Sequence, residues 1–184
     1  MSENQEARLR VAYARLKLMR RDNCGLYAEI GYSLSHVQDE TIPTLCTDGR
    51  TLSYNPDFFM GLNPEQQQSA LAHEYAHVAL MHPVRVRPQH TAKRANIAMD
   101  HAVNLMLRES GLQLGKGWHA DPQYAGMSWE HIYTLLPRIR PPRNNRLPLW
   151  VSASQETRKA TCARTQARTV NRHPTMSLAP RLPS

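Results

Sequence analysis

The stretch Ala72-His73-Glu74-Tyr75-Ala76-His77-Val78-Ala79-Leu80 decides how the rest of the chain is interpreted. Its two histidines are four residues apart, about one turn of an α-helix, so both imidazoles project from the same face. Together they can hold one metal ion, and the neighbouring Glu74 carboxylate can accept a proton from water. This spacing therefore predicts two metal ligands and a general base.

The residues that precede the motif predict the start of a helix. Asn63 is a favourable N-cap, Pro64 suits the first turn, and Gln66 completes a capping box with Asn63. The run that follows is rich in apolar residues through His82 and should end at Pro83, because proline breaks a helix interior. The motif is therefore expected inside a largely buried helix.

A second interpretation of the motif treats its histidines and glutamate as core residues held by hydrogen bonds. Burial of two imidazoles and a carboxylate on an apolar helix is costly unless each group has a partner. A metal ion supplies that partner, so metal binding is favoured. Zinc prefers imidazole nitrogen, and a catalytic zinc commonly has three protein ligands. A third ligand is therefore expected elsewhere in the chain.

A second predicted helix, capped by Thr91 and running to about Glu109 before Gly111, supplies this ligand. A row of short polar side chains borders its apolar stripe at positions i, i+4 and i+8. Such a row suits a carboxylate ligand whose neighbours support it by hydrogen bonds, so the central aspartate is predicted as the third ligand. The row consists of Asn96, Asp100 and Asn104.

Other third ligands stay open. His101 is expected on the outer face of this helix and would need the helix rotated by about 100°. Glu109 would give a His-His-Glu site, but it lies at the helix end. His82 is excluded, because the extended histidine pattern requires glycine and histidine where this chain has Leu80 and Pro83.

The N-terminal part predicts an amphipathic helix at residues 5–22 that ends near Gly25. Apolar residues recur there at helical spacing and should pack on the core, leaving the basic residues in solvent. These apolar residues are Leu9, Ala12, Tyr13, Leu16 and Met19.

A small, mainly antiparallel sheet is expected next, from residues 27–34, 44–47 and 50–54. Asp48-Gly49 between two β-prone runs is a strong hairpin signal. An extended peptide substrate could bind along an exposed strand of this sheet, near the metal.

The glycine-rich loop at residues 111–127 should cover the cleft. Its His119 and Tyr124 are candidates to polarise a substrate carbonyl, and ordinary surface packing is the alternative. Ser128 then caps a short helix through Leu136.

The basic charge of the chain belongs to its C-terminal part. Residues 1–137 contain 13 Lys+Arg and 14 Asp+Glu, a net charge of −1, whereas residues 138–184 contain 10 Lys+Arg and one acidic residue, a net charge of +9. The second part is rich in proline and arginine without apolar periodicity. We therefore expect one domain at 1–137 and a disordered basic tail at 138–184. This tail is a candidate for weak contact with nucleic acid or an acidic partner, and a solvated extension is the alternative.

The cysteines and the N-terminus bear on the compartment. Cys24, Cys46 and Cys162 are widely spaced and predict neither a disulfide framework nor a zinc ribbon. The N-terminus lacks the apolar core of a signal peptide, and no run reaches the length of a membrane span. A cytosolic protein without membrane contact is expected.

Several linked motifs within residues 25–137 support a family assignment. They are Thr47-Asp48-Gly49, Tyr54-Asn55-Pro56, Leu71 to Glu74, His77 to Leu80, Asn96 to Asn104, Asp121 to Gly126 and Glu130 to Tyr133. They resemble a bacterial metallopeptidase domain that usually precedes a von Willebrand factor A-like domain, although no such domain is expected after residue 137 here.

The resemblance implies an α+β, zincin-like fold in which zinc is held by His73, His77 and Asp100, with Glu74 catalytic. The leading hypothesis is therefore a zinc-dependent peptidase acting on peptide or protein substrates. The alternative is a catalytically inert, zinc-stabilised interaction protein whose basic tail binds nucleic acid.

Overall fold

The computed structural model describes residues 3–137, and its α+β class confirms the expectation. The elements in chain order are α1 (Glu3–Met19), α2 (Gly25–Ser33), β1 (Ser35–Gln38), β2 (Leu45–Thr47), β3 (Thr51–Tyr54), α3 (Pro56–Met60), α4 (Pro64–Ala79), α5 (His82–Arg85), α6 (Ala92–Glu109), a 3₁₀ turn (Pro122–Tyr124) and α7 (Trp129–Leu135). The tail predicted at 138–184, with its nucleic-acid contact, lies outside the described residues, and those assignments stay predictions.

Helix α4 begins as its sequence predicts. The Asn63 side chain accepts a hydrogen bond from the Gln66 backbone, and the Gln66 side chain accepts one from the Asn63 backbone, at 2.9 and 3.2 Å. Its end differs from the prediction, because the helix stops at Ala79 and not at His82. Met81 adopts a left-handed conformation (φ 53°), which breaks the helix and starts α5. This break turns His82 back toward α4.

Helix α6 follows its prediction closely. Thr91 occupies the N-cap position, but its side chain makes no capping hydrogen bond, and the helix runs to Glu109. Gly111 has a φ of +77°, and backbone bonds from Gly111 and Leu112 close the last turn on Arg108 and Leu107. A glycine is favoured at this left-handed position, so the predicted helix end is confirmed.

The sheet is mixed, with strand order β1-β3-β2. β1 is parallel to β3, and β2 is antiparallel to it. The Asp48-Gly49 hairpin is confirmed: Gly49 has a φ of +88°, and the Asp48 carboxylate accepts two backbone hydrogen bonds across the turn. The strand predicted at 27–34 is wrong, because residues 25–33 form α2 and the first strand starts at Ser35. Tyr27 and Leu34 are both buried, and their separation of seven residues corresponds to about two turns of a helix.

Helix α1 exists as predicted, but it packs with the opposite face. The large residues Leu9, Tyr13 and Leu16 are 55%, 54% and 53% exposed. The core side instead carries smaller apolar residues, which allow the helix to lie close to α2 and α4. These buried residues are Ala7, Val11, Ala14 and Leu18.

Two apolar clusters surround the pair formed by α4 and α6. One joins α1, α2, the sheet and α4, and the other lies between α6, the 3₁₀ turn and α7. The motif residues therefore lie between two packed layers. Among the helices of residues 3–137, none has the length and apolarity needed to cross a membrane. The cytosolic location stays a prediction.

Candidate metal centre

Helices α4 and α6 bring together the side chains of His73, His77 and Asp100. The two Nε2 atoms are 3.0 Å apart, and Asp100 Oδ1 lies 3.6 Å from His73 Nε2 and 3.4 Å from His77 Nε2. The three side chains are only 12%, 12% and 16% exposed. Each can offer one ligand atom within 4.8 Å of the others, which makes the group a candidate metal site.

The Asp100 carboxylate has one satisfied oxygen and one unsatisfied oxygen. Oδ2 accepts a hydrogen bond from Asn96 Nδ2 at 2.9 Å, whereas Oδ1 is buried and makes no hydrogen bond. Burial alone would raise the pKa of Asp100, but the two adjacent imidazoles hold it far below its ordinary value, so the group is a carboxylate. A buried anionic oxygen without a hydrogen bond is costly in a protein interior. A cation at this position would satisfy it.

Asn104 fixes the ring of His73. Its Nδ2 donates to the His119 carbonyl, so its Oδ1 is the acceptor that faces His73 Nδ1 at 2.9 Å. His73 Nδ1 therefore carries the hydrogen in the neutral ring, and its Nε2 presents a lone pair to the site. Burial would lower the pKa of His73, but the Asp100 carboxylate outweighs it and raises that pKa. The same negative charge attracts a metal ion.

His82 supports the second ring. Its Nδ1 lies 3.0 Å from His77 Nδ1, and only 2% of the residue is exposed. Burial, with the positive charge of Arg85 nearby, lowers the pKa of His82 to about 3, so it is a neutral imidazole. His82 is thus a neighbour of a candidate ligand, and it is not in the metal-ligand group itself. Sequence periodicity did not indicate this contact, because the left-handed Met81 ends the helical register.

Glu74 is buried at 7% exposure and lines a cavity of about 240 Å³ together with His73 and Asp100. The candidate base and two of the three candidate ligands, His73 and Asp100, therefore line the same cavity. The remaining lining residues are Thr44, Leu45, Phe58, Ala70, Asn104, Gly117, Trp118 and His119.

The two loop residues predicted to contact substrate line different cavities in the structure. His119 lines this cavity, as its prediction requires. Tyr124 is buried against the ring of His101 at 4.8 Å and lines a second cavity of about 310 Å³. The 3₁₀ turn directs its side chain there, so the structure does not bring Tyr124 to the cavity at the candidate metal site.

The alternative third ligands also lie elsewhere. His101 was expected on the outer face of α6, but it is 8% exposed and accepts a hydrogen bond from the Asp121 backbone. The reason is that the loop after α6 folds back over the helix and covers this ring. Glu109 lines the second cavity. Neither residue belongs to the group around Asp100.

A family model described as "Putative metallopeptidase domain" matches residues 5–179 of the chain. The match is longer than the 25–137 segment covered by the quoted motifs, and it crosses residue 137, so the domain boundary placed there stays a prediction. No curated protein and no solved structure matches the chain significantly. The match covers most of the chain and agrees with a His, His and Asp group able to hold a metal. The protein is therefore a member of this metallopeptidase domain family.

Proposed function

We propose that the protein is a zinc-dependent peptidase that hydrolyses peptide bonds in a peptide or protein substrate. The observation that carries the proposal is the buried, unbonded Oδ1 of Asp100, which faces the Nε2 atoms of His73 and His77. Three electron-pair donors converge there beside a buried glutamate. A purely structural site would not require that glutamate.

The separations of these donor atoms favour zinc. A tetrahedral centre with bonds of about 2.0–2.1 Å places its ligand atoms about 3.3 Å apart. The three separations here are 3.0, 3.4 and 3.6 Å. Two imidazoles and a carboxylate also suit zinc better than calcium or magnesium, which prefer oxygen ligands. When bound, zinc would polarise the scissile carbonyl and make water more acidic.

Glu74 is the proposed general base. Its carboxylate would accept a proton from the attacking water and then transfer this proton to the nitrogen of the leaving amine. The side chain is held in the cavity by the same helix that carries His73 and His77, so base and ligands keep a fixed spacing. This rigid placement limits the reorganisation needed during reaction.

The cavity lining supports a peptide substrate. Leu45, Phe58 and Trp118 offer apolar contacts for one substrate side chain. Thr44 and Leu45 lie at the start of β2, an edge strand of the described sheet. An extended peptide placed along β2 would enter the cavity beside Glu74. His119 is the proposed contact for the substrate carbonyl.

Glu74→Gln and Asp100→Asn test the two roles separately. Metal content measured by elemental analysis should stay at one zinc per chain in Glu74→Gln and fall in Asp100→Asn. A proteome-derived peptide library, read by mass spectrometry, should show products with the native protein and none with either variant. Glu29→Gln, at an exposed glutamate of α2, is the matched control and should keep both properties. Equal cleavage by native protein and Glu74→Gln would refute the mechanism.

A further inference from the structure

One face of α1 presents large apolar side chains to solvent. Leu9, Tyr13 and Leu16 form a row that is more than half exposed, and we call these three residues the α1 outer face. Isolated apolar residues are normal on a protein surface, whereas large contiguous apolar patches mark interaction sites. The opposite face of the helix, which packs on the core, carries two alanines among its four buried residues. The larger apolar side chains of α1 are thus directed outward.

The spacing of this row is that of a helix-pairing seam. With its flanking charges it reads Glu6, Leu9, Tyr13, Leu16 and Arg20, at alternating steps of three and four residues. This is the a and d pattern by which two helices pack side by side. Glu6, which pairs with Arg10 of its own helix at 3.4 Å, stands at one end of the seam, and Arg20, in the turn directly after α1, stands at the other.

Neighbouring residues widen the apolar area on one flank. Met19 is 39% exposed, and Leu26 and Tyr32 of α2 are 64% and 57% exposed. The Arg15 guanidinium lies 5.1 Å from the centre of the Tyr32 ring, which places Tyr32 beside α1. Exposed apolar side chains therefore occur on both helices, and Tyr32 of α2 lies close to α1.

We propose that this surface binds a second copy of the chain, with the two α1 helices antiparallel about a two-fold axis near Tyr13. In this arrangement Leu9 of one chain meets Leu16 of the other, and Glu6 meets Arg20 at both ends of the seam. A parallel arrangement would place glutamate against glutamate and arginine against arginine. A two-fold contact is also the commonest way in which identical chains associate. The charges thus select the antiparallel pair.

Basic residues on the other flank of the α1 outer face limit the affinity of the dimer. Arg10 and Lys17 would approach each other across the axis, although Arg10 already pairs with Glu6 of its own helix at 3.4 Å. A contact between two helices is also smaller than the roughly 800 Å² per partner of a standard interface. We expect a dissociation constant in the micromolar range that depends on salt.

The contact leaves the metal cavity open. No residue of the α1 outer face lines that cavity. Zinc content and peptide cleavage per chain should therefore be the same in the monomer and the dimer. A monomeric chain would therefore leave the proposed peptidase function unaffected. Likewise, a chain without peptidase activity would leave the dimer proposal unaffected.

Sedimentation velocity of the full chain over a hundredfold concentration range tests the pair. The native chain should shift from monomer to dimer, and Leu16→Glu should remain monomeric. Val84→Glu is the matched control, because Val84 is 71% exposed on α5, away from the face, and this variant should still dimerise. Circular dichroism verifies that each variant is folded.

A charge exchange tests the orientation. Glu6→Arg and Arg20→Glu should each weaken self-association, because like charges then meet at both ends of the seam. An equimolar mixture of these two variants should form a mixed dimer, since every end then pairs an acid with a base. A monomer at all concentrations, a dimer unaffected by Leu16→Glu, or a mixture that stays monomeric would overturn the proposal. A monomeric chain that binds vesicles of anionic lipid through Leu16 would assign the face to a membrane surface instead.

Discussion

The Nδ1 atoms of His77 and His82 face each other at a distance of 3.0 Å. Only one of these nitrogens can carry the hydrogen. Because His77 Nε2 faces Asp100 and the candidate metal position, its Nδ1 donates and His82 Nδ1 accepts. Metal-binding histidines usually donate to a carboxylate, a backbone carbonyl or water. A neutral imidazole occupies that place here.

His82→Ala should therefore weaken metal binding by about 10–100-fold, the usual effect of losing the hydrogen-bond partner of a metal-binding histidine. His82→Asn should recover part of the affinity, because its amide oxygen can accept the same hydrogen bond. Competition with a chromophoric chelator measures the affinity, and the visible spectrum of the cobalt-substituted protein reports the ligand geometry. The exposed His131 provides the control variant His131→Ala. Unchanged affinity and spectrum in His82→Ala would contradict this role.

Asn104→Ala should have two effects, because its amide bonds both His73 and the His119 carbonyl. Asn104 is only 2% exposed, and a buried polar group left without its partner costs about 1–3 kcal/mol. The free energy of unfolding, measured in urea, should fall by this amount, and the metal affinity should fall with it. Asn96→Ala, which removes one hydrogen bond to Asp100, should reduce stability less. A larger loss of stability in Asn96→Ala than in Asn104→Ala would contradict this prediction.

Gly31→Ala should destabilise the protein. A Cβ atom at this position would lie 2.7 Å from Cε2 of Tyr75, a residue with no exposed surface. The phenol also contacts His36 Nε2 at 2.7 Å, so the ring cannot move without disturbing that bond. Overpacking of this kind costs about 1–3 kcal/mol. Gly25→Ala in the same helix meets no atom within 4 Å and serves as the control in urea unfolding.

The stability of the fold should fall in acid through His36. Burial and the positive charge of Arg15 lower the pKa of His36 to about 4, below its ordinary value of 6.5. The unfolded chain therefore binds more protons than the folded chain between these two values, so stability is kept above pH 6.5 and is lost as the pH falls toward 4.

His36→Gln provides the measurement, because its amide can still accept the Tyr75 hydroxyl hydrogen. Urea midpoints of the native chain and the variant, compared from pH 7.5 to 4, should show a difference that is constant above pH 6.5. Below that value the native chain should lose stability more steeply than the variant. Parallel curves over the whole range would argue against a contribution from His36.

Local patterns in the sequence predicted the centre of the fold well. The Asn63 cap and the His73 and His77 spacing depend on interactions within one helix, and the structure reproduces these elements. Asp100 was placed by its position in a polar row on α6, and the structure puts its carboxylate beside both rings. Helical periodicity was sufficient here because His73 and His77 lie on α4, Asp100 lies on α6, and these two helices pack directly against each other.

Errors occurred where two periodic patterns competed or where distant segments meet. Residues 27–34 fit a strand by composition, but contacts with α1 and α4 stabilise a helix. α1 carries apolar residues on two faces, and only the packed structure distinguishes the small inner row from the large outer one. The burial of His101 depends on a loop about twenty residues downstream, which no local pattern encodes.

The left-handed turn at Met81 has a consequence for how the centre assembles. Because it folds the chain back, residues 73–82 alone supply two imidazoles, the base and the imidazole behind the second ring. This half of the candidate site therefore lies within one short segment of the chain. The carboxylate and both asparagines arrive together on α6. The contact between α4 and α6 thus joins the two halves of the candidate site, so we expect metal affinity to depend on that contact.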